Sequence, residues 1–256
     1  MNFTFQSFYP SEESIEIIEF CALGLSPEDQ TLKKWHDSYI LNHKSRIALD
    51  LDVVKEHVVD GSSVLEFGAV PLLLTAALAS KKYNVTGIDI APERYKQVIN
   101  KINANVIKCD VETEKLPFDD NIFDAVVFNE LFEHLRINPI FTLSEVFRVL
   151  KPSGIMILST PNLRSLDGIY NFLIRNRSFS CAGDTYVEYQ KLENLGHMGH
   201  VREYTTTEVV DFLRNIGFDV KKVIYRGRFY SKIKMFIARL FPSLRPLVSY
   251  VSRKPG

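Results

Sequence analysis

The sequence predicts an α/β fold, an open and mostly parallel sheet covered by helices on both faces. Three observations predict it. Five short apolar runs recur in order, at 63–67 (SVLEF), 84–88 (NVTGI), 105–109 (NVIKC), 123–128 (FDAVVF) and 155–159 (IMILS). Helical patterns at 71–82, 92–102 and 139–150 fall between most of them, and the runs are apolar nearly throughout, as strands covered on both faces require. Finally, Glu66, Asp89, Asp110 and Asn129 fall at or just after the ends of successive strands, where open sheets of this kind hold ligands.

The elements follow in order. Residues 11–25 space Ile15, Ile18 and Cys21/Ala22 as a short helix does. "SPED" at 26–29 reads as a helix start, with Ser26 as cap, Pro27 at the first helical position and Asp29 at the third place after the cap. The helical pattern continues to about residue 58, so residues 1–60 are expected to form a helical layer or lid. Pro71 and Pro92 suit the first turns of the next two helices, where a missing N–H costs nothing. "KPSG" at 151–154 is a turn into the fifth strand. Residues 161–204 read as an inserted loop region. Thr205 and Glu208 then form a capping box, Val209, Phe212 and Leu213 face the core, and Gly217 closes the helix before a strand at 218–225.

Composition bounds the class. At 256 residues, 46% hydrophobic and 24% charged, the chain can bury a sizeable core. Cys21, Cys109 and Cys181 have no metal-binding spacing and argue for a reducing compartment. "MNFTFQSFYPSEES" has no basic region leading into an apolar run, so no signal peptide is expected, and a cytoplasmic location is. The balanced charge of 31 basic and 31 acidic residues conceals an asymmetry. After Asp219 there is no acidic residue but ten basic ones, leaving 21 basic against 31 acidic residues before it. In that segment Ile233, Phe236, Ile237, Leu240 and Phe241 keep helical spacing, with Lys232, Lys234 and Arg239 largely off the stripe. Such a helix suits an anionic membrane surface, through residues 228–254, on the inner face of the membrane; packing on the chain's own acidic body is the competing reading. Nucleic acid is disfavoured by the acidic body.

The junction residues resemble those of class I S-adenosylmethionine-dependent methyltransferases, small-molecule branch, over about residues 60–225. "LEFGAVP", "VTGIDI", "IKCDVETEKLPF", "FDAVVFNELFEHL", "VFRVLKPSGIMILSTPN" and "GHVREYTTTEVVDFLRNIGF" carry the resemblance in the family's order. It implies a Rossmann-like three-layer sandwich with a mostly parallel seven-stranded sheet, divided as extension 1–60, methyltransferase-like domain 61–226 and basic tail 227–256. It also implies S-adenosylmethionine as cofactor, with Glu66 and Gly68 at the first turn, Asp89 and Ile90 at the ribose, Asp110 and Val111 at the adenine and Asn129 nearby. Leu116 and Phe118 are candidates for an adenine wall or for ordinary core. The family's turn carries glycines near 68, 70 and 72; here they are Gly68, Val70 and Leu72. Gly68 still supplies a tight turn, and the question becomes whether Val70 fills the pocket.

His134 is the candidate general base, against a packing role for the same ring. Glu130, His197, His200, Arg202 and Tyr204 are candidates for the acceptor pocket, with Arg202 suited to a carboxylate or phosphate or to a surface ion pair. His197 and His200 lack a third zinc ligand in the sequence pattern, and no metal is expected. The reading is methyl transfer, at oxygen, to a small or lipid-linked acceptor. The competing reading is a non-catalytic protein of the same fold that binds a membrane or partner.

Overall fold

Seven strands form one sheet in the order β3-β2-β1-β4-β5-β7-β6, in a computed structural model that describes residues 9–195 and 199–256. β1 (Ser63–Phe67), β2 (Asn84–Asp89), β3 (Asn105–Lys108), β4 (Phe123–Asn129) and β5 (Leu150–Pro161) are parallel. β7 (Leu247–Arg253) lies antiparallel between β5 and β6 (Asp219–Arg226). Strand order reverses between β1 and β4, which opens a crevice at their carboxyl ends.

Alternation along the strands divides the core in two. Val64, Ala125, Val127 and Ile157 face one side, packed on Ile18 and Cys21 of α1 (Glu12–Gly24), Leu51 and Val54 of α2 (Gln30–His57) and Ala77 of α3 (Leu73–Ser80). The same core takes in Val98 of α4 (Lys96–Ile102). Leu65, Val126, Phe128 and Leu158 face the other side, against Leu143 and Val146 of α5 (Pro139–Val149) and Val209 and Leu213 of α8 (Thr206–Ile216). The Thr205–Glu208 capping box is formed and Gly217 takes the left-handed conformation, φ 117°, that ends α8. No helix of the described residues is long and apolar enough to cross a membrane.

Several expected boundaries move. α2 starts at Asp29, whose side chain accepts from the Leu32 N–H at 2.7 Å; Ser26 lies outside the helix and accepts from Lys33 Nζ. A carboxylate satisfies a free N–H at the positive helix end more strongly than a hydroxyl. α2 is one unbroken helix of 28 residues. Pro71 precedes α3 instead of occupying its first turn: its peptide bond to Val70 is cis and Leu72 has φ 70°. The segment 161–204 contains two helices, α6 (Leu166–Arg175) and α7 (Thr185–Leu195). The largest correction concerns 227–256, which is no appended tail. Its first part is α9 (Lys232–Leu240), and its end is β7, buried from Val248 to Ser252 and bonded on both edges. β6 reaches the sheet only through β7, so the segment belongs to the domain.

One buried charge system joins the layers. Arg226 closes β6, 1% exposed, with Nη1 at 2.5 Å from Asp50 of α2. Its Nη2 lies 3.8 Å from Glu130, which Arg46 of α2 also approaches at 3.4 Å. Replacing Arg226 by Met should lower unfolding stability by about 3–5 kcal/mol, the usual cost of stranding a buried charge. The double change Arg226→Met, Asp50→Leu should recover most of it. Urea denaturation of the three proteins checks this, and equal losses in the single and double variants would show that the pair is not the source.

Candidate active site

The carboxyl ends of β1, β2 and β4 open into a cavity of about 630 Å³, walled by α2 and by the segment after β4. Glu66, Gly68, Asp89, Ile90, Asp110, Val111, Asn129, Glu130, His134 and His200 all line it. Arg202 and Tyr204 do not. Arg202 bridges Glu208 at 2.6 Å and lies over the Tyr204 ring, while Tyr204 is buried against Phe132 with ring centroids 4.5 Å apart. Both were expected at the acceptor; the aromatic contact holds them in the core and at the surface instead. His197 lies outside the described residues.

The turn after β1 is held by Asp89. Its Oδ2 accepts from the Val70 N–H at 3.1 Å and its Oδ1 from the Ala91 N–H at 2.9 Å. Gly68, at φ 66°, has open space where a side chain would stand. Gly87 explains how the turn reaches β2: an added Cβ there would meet Ala69 Cβ at 2.7 Å. Val70 shares the rim with Gly68 and Asp89, but its side chain packs on the N-terminal core and the cavity stays open. The glycine-poor turn therefore does not plug the pocket.

The donor set suits a cationic nucleoside. Glu66 is buried and accepts from Thr75 Oγ1 at 2.6 Å. Burial, helped by Asp50 and Asp89 and opposed by the Thr75 bond, pushes its carboxyl up to about 8. Both polar atoms of the Asn129 amide are buried and without a hydrogen-bond partner, although the residue lines the cavity. A ligand able to satisfy them removes a cost of about 1–3 kcal/mol per unpaired group. Asp110 shapes its own turn, accepting from the Glu112 N–H at 3.1 Å and Thr113 Oγ1 at 2.9 Å. Leu116 is buried among the second core cluster and Phe118 packs beside it; neither lines the cavity.

Beyond β4 the chemistry changes. Glu130 has φ 52° and accepts from Ser159 Oγ at 2.8 Å, so it anchors the buried ion network as well as lining the pocket. His134 donates from Nδ1 to the Gly199 carbonyl at 3.0 Å, which leaves Nε2 as the acceptor nitrogen of a neutral ring. Burial, with His200 close by, brings its pKa down to about 4. The sequence reading missed the wall formed by Trp35, Tyr39, His43 and Arg46 of α2. Their spacing of four, four and three places them on one helix face, a signal present in "KWHDSYILNHKSR". Trp35 stacks on Tyr39 at 5.2 Å and Tyr39 lies 4.6 Å from His43.

Comparison with known proteins supports the geometry. Residues 65–158 match the model of the methyltransferase domain family. The fold is that of class I S-adenosylmethionine-dependent methyltransferases. An uncharacterised protein of Methanocaldococcus jannaschii is 26% identical over 90% of this chain and 89% of its own. A ubiquinone biosynthesis O-methyltransferase of Rickettsia typhi is 24% identical over 71% and 74%. The crystal structure of an S-adenosylmethionine-dependent methyltransferase from Archaeoglobus fulgidus superposes with a TM-score of 0.58, covering 85% of this chain and 99% of that one; at 17% identity this is a likeness of fold. The chain is accordingly an enzyme of methyl transfer with S-adenosylmethionine as its cofactor, and the open turn, the acidic lining and the unpartnered Asn129 amide fit that group.

Glu66 links the pocket to pH. Its folded pKa lies above the 4.5 of an ordinary glutamate, so the fold favours the protonated form. The stability it contributes is full below pH 4.5 and is lost as pH rises through about 8. Glu66→Gln should flatten part of the fall in melting temperature across that window, by on the order of 1–3 kcal/mol at its upper end. Thermal denaturation at a series of pH values in the ligand-free protein measures it; an unchanged slope would remove Glu66 as the cause.

Proposed function

We propose that the enzyme methylates a hydroxyl oxygen of a small, lipid-linked acceptor presented at a membrane surface. The observation that carries the chemistry is His134: with Nδ1 committed to Gly199, its Nε2 is an acceptor nitrogen inside the same cavity as the cofactor set. Bound S-adenosylmethionine supplies an electrophilic methyl group on a sulfonium. His134 takes the proton that the acceptor hydroxyl gives up, Asp89 and Asn129 hold the nucleoside, and the α2 aromatic wall orients the acceptor and excludes water. The similarity to an O-methyltransferase of ubiquinone biosynthesis supports oxygen as the site.

Two helices support the membrane part. α6 leaves the carboxyl end of β5, and α9 joins the end of β6 to the start of β7, so both sit at the edge of the sheet where the cavity opens. Lys234 of α9 pairs with Asp167 of α6 and lies 6.0 Å from the centre of the Tyr170 ring, which sets the helices side by side. Phe172, Leu173 and Ile174 of α6 and Ile233, Phe236 and Leu240 of α9 are each more than half exposed. Arg175, Arg177, Lys232 and Arg239 are exposed on the same elements or just beyond them. Apolar side chains flanked by cations match an anionic bilayer, at about 1 kcal/mol for each Lys or Arg near the surface. Lys234 is paired with Asp167 and Arg177 with Asp184, so neither counts among the cations offered to a bilayer.

Calorimetric titration with S-adenosylmethionine and S-adenosylhomocysteine should give micromolar binding that Asp89→Ala weakens at least about 100-fold, or ~2.7 kcal/mol. Failure of the folded wild-type protein to bind either would refute the reading. His134→Asn should leave that affinity intact and lower turnover by about 10²–10⁴-fold. In cosedimentation, the protein should partition onto vesicles containing phosphatidylserine and much less onto neutral ones. Ile233→Glu with Phe236→Glu should abolish this, and equal partition of wild type and variant would discard the membrane surface.

A further inference from the structure

Behind the acceptor side of the cavity lies a cluster that the methyl-transfer reading leaves unused. Cys181, His200 and Glu203 come from the α6–α7 connection and from the strand-like stretch before α8. Cys181 Sγ is 3.7 Å from His200 Nδ1 and 3.1 Å from Glu203 Oε1, and His200 Nδ1 is 3.2 Å from the same oxygen. Three ligand atoms on a tetrahedral zinc ion, with bonds of ~2.0–2.3 Å, stand about 3.2–3.8 Å apart. The triangle is already close to that size. A nucleophilic relay fits less well: Cys181 and Glu203 both address the one nitrogen, Nδ1, whereas a relay needs thiol and carboxylate on opposite nitrogens.

We propose that Cys181, His200 and Glu203 bind a zinc ion whose open position faces the acceptor half of the cavity. The ligand types, one thiolate, one imidazole and one carboxylate, are those zinc takes in catalytic sites, with three protein ligands and a fourth place for water or substrate. The carboxylate is held for the purpose. Glu203 is 2% exposed; Oε2 accepts from the Ser180 N–H at 2.5 Å and from Ser180 Oγ, and Oε1 accepts from the Cys181 and Ala182 N–H groups at 3.2 and 3.1 Å. Cys181 and His200 line the cavity and Glu203 stands behind them, which puts the vacant coordination position on the cavity side. Glu133 and His134 approach from across the pocket, and their ligand atoms with that of His200 lie within 4.8 Å of one another. The surroundings are rich in carboxylates: Glu188 accepts from the His200 N–H, Lys191 neutralises Glu188, and buried Glu133 accepts from Thr160 Oγ1 at 3.0 Å with His134 Nε2 at 4.0 Å. On binding, the Sγ proton leaves to solvent and the Nδ1 proton passes to Nε2 of the same ring, so that a thiolate and a neutral imidazole face the ion. In the methyl-transfer reading, on which only this last role rests, the ion would hold the acceptor oxygen and lower its pKa beside His134.

Full-length protein freed of metal is titrated with Zn²⁺ and with Co²⁺ in the absence of cofactor, so the outcome is independent of whether methyl transfer is found. One equivalent is expected, and the cobalt form should show tetrahedral bands with thiolate-to-metal charge transfer. Cys181→Ser should lose the charge-transfer band, and both it and His200→Asn should weaken binding at least about 100-fold; His57→Asn, away from the cluster, should match wild type. No stoichiometric binding under chelator competition would overturn the site, as would an ion whose spectrum and affinity survive Cys181→Ser. Should a variant fail to fold, the wild-type cobalt spectrum decides alone: without thiolate charge transfer the proposal falls.

Discussion

A guanidinium sealed inside the protein constrains the layout of the site. Arg226 stands at the end of β6, Asp50 and Arg46 on α2, and Glu130 just after β4, three elements far apart in the chain. Burial, helped by the charge of Glu130, pushes the Asp50 carboxyl upward against its two arginine neighbours. Arg46 is held charged by Glu130 in spite of its own burial. The closest contact, Arg226 to Asp50, is a buried ion pair at 2.5 Å. Such groups are costly to bury singly and tolerable only together. The consequence is positional. α2 cannot leave the sheet at its middle without exposing or unpairing four charges, so of the two readings of this segment, helical layer or lid, it is a fixed layer from Arg46 onward. Its aromatic first half extends over the cavity from that anchor.

The same arrangement decides what charge the cavity presents. The arginines are consumed by Asp50 and Glu130, leaving Glu66 and Glu133 without a strong cationic partner. Burial raises both carboxyls to about 8. The pocket is thus rich in acidic groups, of which the two buried ones, Glu66 and Glu133, favour the neutral form near pH 7. A cationic ligand that enters converts those groups to carboxylates and gains their attraction in a dry site. That conditional acidity suits a sulfonium better than a pyrophosphate, which would find a single glycine, Gly68, at the turn where Val70 and Leu72 follow.

How much of this was legible follows physical lines. The carboxyl-end residues were legible because a parallel sheet covered on both faces requires apolar strands, and the polar residue that ends one stands out. The capping box at Thr205 was legible because its two bonds are local. β7 was not: "LVSYVSR" is short, contains two buried serines and lies among ten basic residues, so composition pointed to a surface tail while register placed it inside the sheet. Tyr204 was misplaced because nothing local distinguishes an aromatic that lines a pocket from one that stacks on Phe132. The α2 wall had a readable period, but which face meets the cavity depends on Arg226, nearly two hundred residues away. Ser26 lost to Asp29 as helix cap through a difference in acceptor strength that the motif alone does not rank.

These contrasts divide the site by origin. The cofactor half is made of strand ends and the turn held by Asp89, features the sheet dictates. The acceptor half is assembled from additions to the sheet: the α2 face, the loop carrying Cys181, α7 and the stretch with His200 and Glu203. The exposed faces of α6 and α9 arise from the same additions, α6 from the segment after β5 and α9 from the link that delivers β7. One insert thus carries both a polar cluster toward the cavity and an apolar face toward solvent. Changes of acceptor in related chains are therefore expected to concentrate between residues 161 and 204 and along α2, while Gly68, Gly87 and Asp89 hold the turn in place whatever the acceptor.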